Sequence, residues 1–219
     1  MQRFLGDASH ELRTPLTVIK GYNEMLSKGQ FTQVSDQSRA FSRVSSEIER
    51  MESLIHDLLL LAELGESKPV NFAEVDFDEL VKAHLNDFQV LNTSRTVTTA
   101  IPDDCFVQGS RDHLSRLIQN CLSNILRHTP SDAPVSVSLR NIGKRAELRI
   151  EDGGPGLPDS AYGSEIKFMN RFDPSRSRES GGSGLGLSII AAIVQEHSGE
   201  LELSKSQLGG LAVTIRIPN

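Results

Sequence analysis

The sequence predicts an α+β chain in two parts: a helical hairpin that pairs with a second copy as a dimeric four-helix bundle, then a layered unit with helices on one face of a β-sheet. Three observations carry this. Apolar residues recur at alternating spacings of four and three as far as Ala62. A break containing Gly65 and Pro69 follows. Beyond it, helical and strand periodicities alternate irregularly, as in an α+β layer.

The first helix follows Ala8, Leu12, Pro15, Ile19, Tyr22 and Leu26; the second follows Phe41, Val44, Ile48, Met51, Ile55, Leu58 and Ala62. This 3-4 spacing is a heptad seam, along which two helices pair. Pro15 removes a backbone donor and predicts a bend in the first helix. The polar stretch 28–37 joins the two. A lone hairpin buries little surface, whereas a dimer buries both seams. The alternative is a hairpin packed on the rest of its own chain. The predicted division is 1–64 for the hairpin, 65–70 for a linker and 71–219 for the second unit.

In the second unit, residues 71–75 predict a strand. Asp76-Phe-Asp-Glu79 predicts a capped helix through Leu80, Val81, Leu85 and Phe88. Strands are expected over 95–101 and 105–108. Ser110 caps a helix to Thr129 with Leu114, Leu117, Ile118, Cys121, Leu122 and Ile125 on its apolar face, and Pro130 stops it. Alternation at Val135, Val137, Leu139 and at Ala146, Leu148, Ile150, with Gly143 between, predicts a hairpin. A helix over 184–197 and a closing hairpin turning at Gly209-Gly210 complete the order.

Composition narrows the function. In 219 residues, 37% hydrophobic and 24% charged content supports a buried core rather than disorder. A net charge of -6 argues against a generally basic nucleic-acid binder, and 5% aromatics without Trp give little material for base stacking. No apolar run approaches the roughly 20 residues that span a bilayer. The start carries charge where a signal peptide would be apolar. Cys105 and Cys121 are too few for a disulfide framework or zinc site and read as small core residues.

Eight of the 17 glycines fall between Gly153 and Gly186, in Asp152-Gly-Gly-Pro-Gly156 and Gly181-Gly-Ser-Gly-Leu-Gly186. Glycine lets the backbone approach a ligand, and the second cluster opens a helix whose N-terminus suits phosphate. The same residues also fit a flexible loop. Neither the dinucleotide fingerprint nor the P-loop spacing is met. Asp152 ends a strand, where its carboxylate either accepts from an exocyclic amine such as that of adenine or caps a turn. Asn120 and Asn124 share a helix face, with Arg127 and His128 a turn later. Their amide oxygens suit Mg²⁺, and the guanidinium suits phosphate; a plain polar face is the alternative.

Taken together, four segments form a pattern. Phe4-Leu-Gly-Asp-Ala-Ser-His-Glu-Leu-Arg-Thr-Pro-Leu-Thr17 resembles the H-box of bacterial sensor histidine kinases, and Leu117-Ile-Gln-Asn-Cys-Leu-Ser-Asn-Ile-Leu-Arg-His-Thr129 resembles their N-box. Asp152-Gly-Gly-Pro-Gly156 is similar to the first glycine box and Gly182-Ser-Gly-Leu-Gly-Leu187 to the second. All stand in the family's order. The resemblance implies a dimerisation and phosphotransfer hairpin, followed by an α/β sandwich ATP-binding domain of the histidine kinase and gyrase type. It also implies a sensor and membrane anchor upstream, at the cytoplasmic face of the bacterial inner membrane; because the chain starts near the H-box, it reads as the cytoplasmic part of such a protein.

The resemblance further implies ATP-dependent autophosphorylation on His10 and transfer to an Asp of a response regulator receiver domain. Two positions past the seam residue Ala8, about 200° around the helix, His10 is expected to face outward. Glu11 resembles the family's base, taking the proton from the other ring nitrogen. Thr14, in Glu11-Leu-Arg-Thr14, matches the pattern linked to phosphatase action on the partner. Asn120 and Asn124 are implied at Mg²⁺, Arg127 at phosphate and His128 beside the nucleotide. Asp152 is implied at the adenine amine with Gly154 and Gly156 shaping its pocket, and Gly182, Gly184, Leu185 and Gly186 at the phosphate end of a lid over 157–181. In that lid Met169 replaces the family's first Phe and Pro174 its Arg, so Arg176 or Arg178 would have to substitute. The alternative is thus a phosphatase-dominant or ATP-binding module with weak kinase activity. A nucleotide-gated ATPase clamp would leave the His-Glu-x-x-Thr hairpin unexplained. His56, His84, His113 and His197 are expected to be ordinary surface or core residues.

Overall fold

The computed structural model describes residues 2–31, 33–64, 72–162 and 185–219, with the side chains of 2–11 and 160 outside that description. Helix α1 spans Gln2–Ser27 and α2 spans Val34–Leu64. The break between them is shorter than the sequence suggests. Gly29, with φ +63°, supplies the left-handed residue at the end of α1. Pro15 lies inside α1 without interrupting it.

The seam runs one residue away from the expected stripe. Ala40, Glu47, Leu54 and Leu61 are buried, whereas Phe41, Ile48 and Ile55 are exposed. Two heptad series therefore lie side by side on α2. One packs within the chain; of the series read from the sequence, Phe41, Ile48 and Ile55 face outward, while Val44, Met51 and Leu58 are half-buried and Leu58 packs on the core.

The second unit begins with β1 (Ala73–Asp76), followed by α3 (Phe77–Leu91), β2 (Val97–Ala100), β3 (Phe106–Gly109), α4 (Arg111–His128), β4 (Val135–Ile142) and β5 (Arg145–Asp152). After a short 3₁₀ turn (Asp159–Ala161) come α5 (Gly186–Glu196), β6 (Glu200–Lys205) and β7 (Leu211–Pro218). The caps are those expected from sequence: Asp76 Oδ1 accepts from the Glu79 N–H at 2.9 Å, and Ser110 Oγ from the His113 N–H at 3.4 Å. The five-stranded sheet runs β2-β4-β5-β7-β6, with β2 and β4 parallel and the other neighbours antiparallel. Strands β1 and β3 form a separate antiparallel pair.

Leu148, Ile215 and Ile217 from the sheet meet Leu114, Leu117 and Ile118 of α4 and Ile189, Ile190 and Ile193 of α5 in one apolar core. Truncating any of these Leu or Ile side chains to Ala costs about 2–5 kcal/mol. Cys105 and Cys121 are buried and unpaired, as expected, and burial pushes the Cys121 thiol up to about 12.

Leu54 and Leu61 of α2 belong to the same core, so the hairpin and the sheet unit share it. Beside them Arg116 of α4 donates to buried Asp57 of α2 at 2.7 Å. Asp57→Ala should destabilise the chain by about 1–3 kcal/mol in urea denaturation, less than for a fully buried pair because the Arg116 side chain is 35% exposed.

His197 is a core residue, one of the two alternatives the sequence left open, and it has defined partners. It is 3% exposed. Its Nδ1–H donates to the Ile193 carbonyl at 2.8 Å, and Nε2 accepts the Ser110 N–H at 3.1 Å. The ring stacks on Phe72 at 4.7 Å, joining the C-terminal end of α5 to the starts of α4 and β1. A side chain at Gly109 would run into it, with Cβ 2.6 Å from Cδ2. Nearby, His113 Nδ1 lies 2.6 Å from Glu196 Oε2.

Burial holds the His197 imidazole below its ordinary value of 6.5, against the pull of the Ile193 carbonyl and Glu196. A proton on Nε2 would meet the Ser110 N–H head on. The neutral ring is the folded form, so its contribution is complete above pH 6.5 and is lost as pH falls through the lowered value. The melting temperature of the wild type should therefore drop more between pH 7 and pH 5 than that of His197→Gln, measured by scanning calorimetry.

Candidate nucleotide site

Strand β5 carries Asp152 to its end, next to β7 and β4. The carboxylate is 8% exposed, and its Oδ1 accepts the Gly154 N–H at 2.8 Å and the Leu211 N–H at 3.3 Å. Among the described residues no hydrogen bond uses Oδ2, the oxygen left for a ligand. Burial raises the Asp152 pKa, offset in part by those two N–H groups and by the charges of Arg95 and His128. Two glycines make the geometry. An added Cβ at Gly154 would stand 2.5 Å from the Thr129 methyl carbon. One at Gly210, on the β6–β7 turn, would collide with Asp152 Oδ1 and stand 2.5 Å from the Gly154 nitrogen. Gly156 has φ +67°, a left-handed turn that favours glycine.

Helix α4 supplies the other end. Asn120 Nδ2 donates to the Arg116 carbonyl at 2.8 Å, which turns its Oδ1 outward. A Cβ on Gly186, the first residue of α5, would lie 2.9 Å from Asn124 Oδ1 and 3.3 Å from Asn120 Oδ1. Two amide oxygens thus converge on a helix start that has no side-chain cap at buried Leu185. This is a hard-oxygen set with space kept open by glycine, and it fits Mg²⁺ with phosphate at the α5 amides. Thr129, against the Asp152 turn, stands five residues beyond Asn124 and nine beyond Asn120, roughly 7–14 Å along the helix axis. That separation accommodates an extended nucleoside triphosphate. Arg127 and His128 are exposed in the last turn of α4, and the field of His128 reaches Asp152.

The structure therefore groups Asp152, Gly154, Gly156 and His128 at one end of α4, and Asn120, Asn124, Leu185 and Gly186 further back along it. It does not bring Arg127 into a hydrogen bond or ion pair among the described residues. Thr14 is exposed on α1. Gly182, Gly184 and most of the expected lid lie outside the described residues, as do the side chains of His10 and Glu11. Gly210, Thr129 and Arg95 were not expected from sequence. Gly210 carried a turn signal only, and its pairing with Asp152 spans 58 positions.

The chain's 109–219 segment matches the family model of histidine kinase-, DNA gyrase B-, and HSP90-like ATPases, and its 1–67 segment matches the His Kinase A (phospho-acceptor) domain. The chain belongs to the histidine kinase family. It is 34% identical, over 100% of its own length and 46% of the relative's, to the probable sensor histidine kinase TcrY of Mycobacterium tuberculosis. It is also 34% identical to the signal transduction histidine-protein kinase BaeS of Escherichia coli, over 98% of this chain and 46% of that one. The chain spans about half the length of these curated relatives. The fold is similar to that of Acinetobacter baumannii histidine kinase AdeS, with a TM-score of 0.74, 22% identity and 95% and 97% of the two chains covered. Among the described residues no helix is long and apolar enough to cross a membrane.

Gly210→Ala should leave the chain folded but weaken ATP binding at least tenfold, because the atoms it meets belong to Asp152 and the Gly154 backbone rather than to a flexible side chain. Isothermal titration with Mg-ATP measures this.

Proposed function

We propose that this chain is the catalytic part of a two-component sensor kinase. It uses ATP to phosphorylate His10 and passes the phosphoryl group to an Asp of a response regulator receiver domain. The supporting observation is the length of α4 between a buried acceptor for adenine, Asp152, and an oxygen pair for Mg²⁺, Asn120 and Asn124. Bound there, Mg²⁺ would neutralise phosphate charge.

The chain's own residues then have separate tasks. Asp152 Oδ2 accepts the adenine amine. Gly154 and Gly156 leave room for the base, and His128 flanks it. Gly182, Gly184, Leu185 and Gly186 border the phosphates at the α5 amides, with Arg127 as the nearby cation. His10 attacks the terminal phosphorus in line through a neutral ring nitrogen, while Glu11 accepts the proton from the other. Thr14, one turn from His10, orients water for dephosphorylation of the regulator. The division is 1–64 for the phosphotransfer hairpin, 65–70 for the linker and 71–219 for the ATP-binding domain.

The exposed series Phe41, Ile48 and Ile55, with Leu59, supports a homodimer in which two hairpins form a four-helix bundle. In the whole protein this part would act at the cytoplasmic face of the bacterial inner membrane.

Incubation with Mg²⁺ and γ-labelled ATP tests the reading. The wild type should acquire acid-labile, base-stable label that is lost in His10→Gln and reduced at least a hundredfold in Asn124→Asp. Label that persists in His10→Gln would refute the acceptor. Phe41→Glu and Ile48→Glu together should shift the chain from dimer to monomer in sedimentation equilibrium.

A further inference from the structure

We propose that Arg95 is a positioning residue for nucleotide recognition: it clamps the 129–134 loop on which the Asp152–Gly154 turn rests, and so fixes where the adenine acceptor stands. The inference rests on the reading of Asp152 given above.

Arg95 lies in the loop between α3 and β2, away from the sequence motifs of the site. It is 9% exposed, and among the described residues no carboxylate forms an ion pair with it. A guanidinium this buried, held by neutral acceptors, is costly and asks for a reason. Its Nη1 donates to Thr129 Oγ1 at 2.8 Å and to the Ala133 carbonyl at 3.4 Å, and Nη2 donates to the Thr129 carbonyl at 3.4 Å. Beside it the Ser94 hydroxyl donates to the Ser131 carbonyl at 2.9 Å, and the Val135 N–H to the Thr96 carbonyl at 2.9 Å. The two loops are stapled along their length, with Arg95 as the charged member.

The clamped loop touches the adenine turn twice. The Gly153 N–H donates to the Pro134 carbonyl at 2.9 Å, and a Cβ at Gly153 would lie 2.7 Å from the Pro134 ring. The Thr129 methyl fills the space where Gly154 has no side chain. Gly154 in turn donates to Asp152 Oδ1. The fork of Arg95 thus reaches the carboxylate through one residue on each side. Its charge also acts directly. Asp152 faces Arg95 from the α3–β2 loop, His128 from α4, and the N–H groups of Gly154 and Leu211. Arg95 brings a guanidinium charge to this cluster. It favours the ionised carboxylate, the form that accepts from an amine.

The test compares ATP with inosine triphosphate, which presents a carbonyl where adenine has its amine. Calorimetric titrations use the full chain with Mg²⁺ from pH 5 to 8. The wild type should prefer ATP. In Arg95→Met, ATP binding should weaken about tenfold while inosine triphosphate binding changes far less. The acid limb of ATP binding should move to higher pH, because Asp152 then takes up its proton more readily. Arg95→Lys, which keeps the charge without the fork, should restore the acid limb but not the full affinity.

Equal loss for both nucleotides with an unmoved acid limb would reduce Arg95 to a fold-stabilising residue and overturn the proposal. A wild type that binds both nucleotides alike would refute the adenine reading of Asp152, and this inference with it. A wild type that prefers ATP, with that preference intact in Arg95→Met, would sink the inference alone. Should Arg95→Met fail to fold by circular dichroism, Arg95→Lys decides: selective loss of ATP affinity supports the proposal, and unchanged affinity rejects it.

Discussion

A carboxylate taken almost entirely out of water at the end of a central strand must be kept as an acceptor, and much of the catalytic domain is arranged around that constraint. Withdrawal from solvent favours the protonated acid, which would donate where adenine also donates. At Asp152 this pull is offset in part by backbone N–H groups that come close because Gly154 and Gly210 lack side chains. The strand order follows the same logic. The β6–β7 turn has to reach over the end of β5 for the Gly210 N–H to meet the Asp152 carbonyl at 3.0 Å, and the β5–β7 pairing carries it there. Helix α4 closes the far side through Thr129. A single helix therefore bounds the Asp152 pocket at its C-terminal end and carries two amide oxygens one and two turns back.

That arrangement ties the nucleotide site to the hairpin. Arg116, whose carbonyl orients Asn120, is the residue that pairs with Asp57 on α2. The polar link sits beside Leu54 and Leu61, which lie in the common core. The contact with α2 thus lies one turn from the first of the two amide oxygens on α4. At the opposite end, His197 joins α5, the start of α4 and the entry to β1. The entry of the chain into the second unit is fastened to both α4 and α5.

Local signals made the elements legible. Ser110 and Asp76 cap helices as their spacing predicts, Gly143 turns the β4–β5 hairpin with φ +61°, and alternation on β4 marks buried positions. The site residues on α4 and at Asp152 were legible because each lies in a short segment of distinctive composition. Arg95, Gly210 and the Asp57–Arg116 pair were not, for a physical reason. Each acts on a partner more than thirty positions away, and nothing in its immediate neighbours records that partner. The hairpin seam failed differently. Positions 40, 47, 54 and 61 and positions 41, 48 and 55 obey the same seven-residue period, so periodicity finds the stripe but cannot assign it to one interface. Glu47 completed the disguise, since a carboxylate in the inner series makes the outer one look more apolar.

Glu47 also shows why the inner series is not uniformly apolar. The residue is 5% exposed, with Arg43 at 3.2 Å and Arg50 at 3.9 Å on its own helix, and among the described residues its Oε2 has no hydrogen-bond partner. Such a layer weakens a helix pair relative to a leucine. It also breaks the degeneracy of the heptad. Ala40, Leu54 and Leu61 alone would repeat an equivalent surface every seven residues along α2. A charged layer makes the levels unequal, because each slip moves the carboxylate to a different height on the first helix. Thirteen residues from the connecting loop on either helix, Glu47 stands level with Thr14, one turn from His10. On the proposed function, register matters most there, since a slip would carry His10 away from the nucleotide it is proposed to attack.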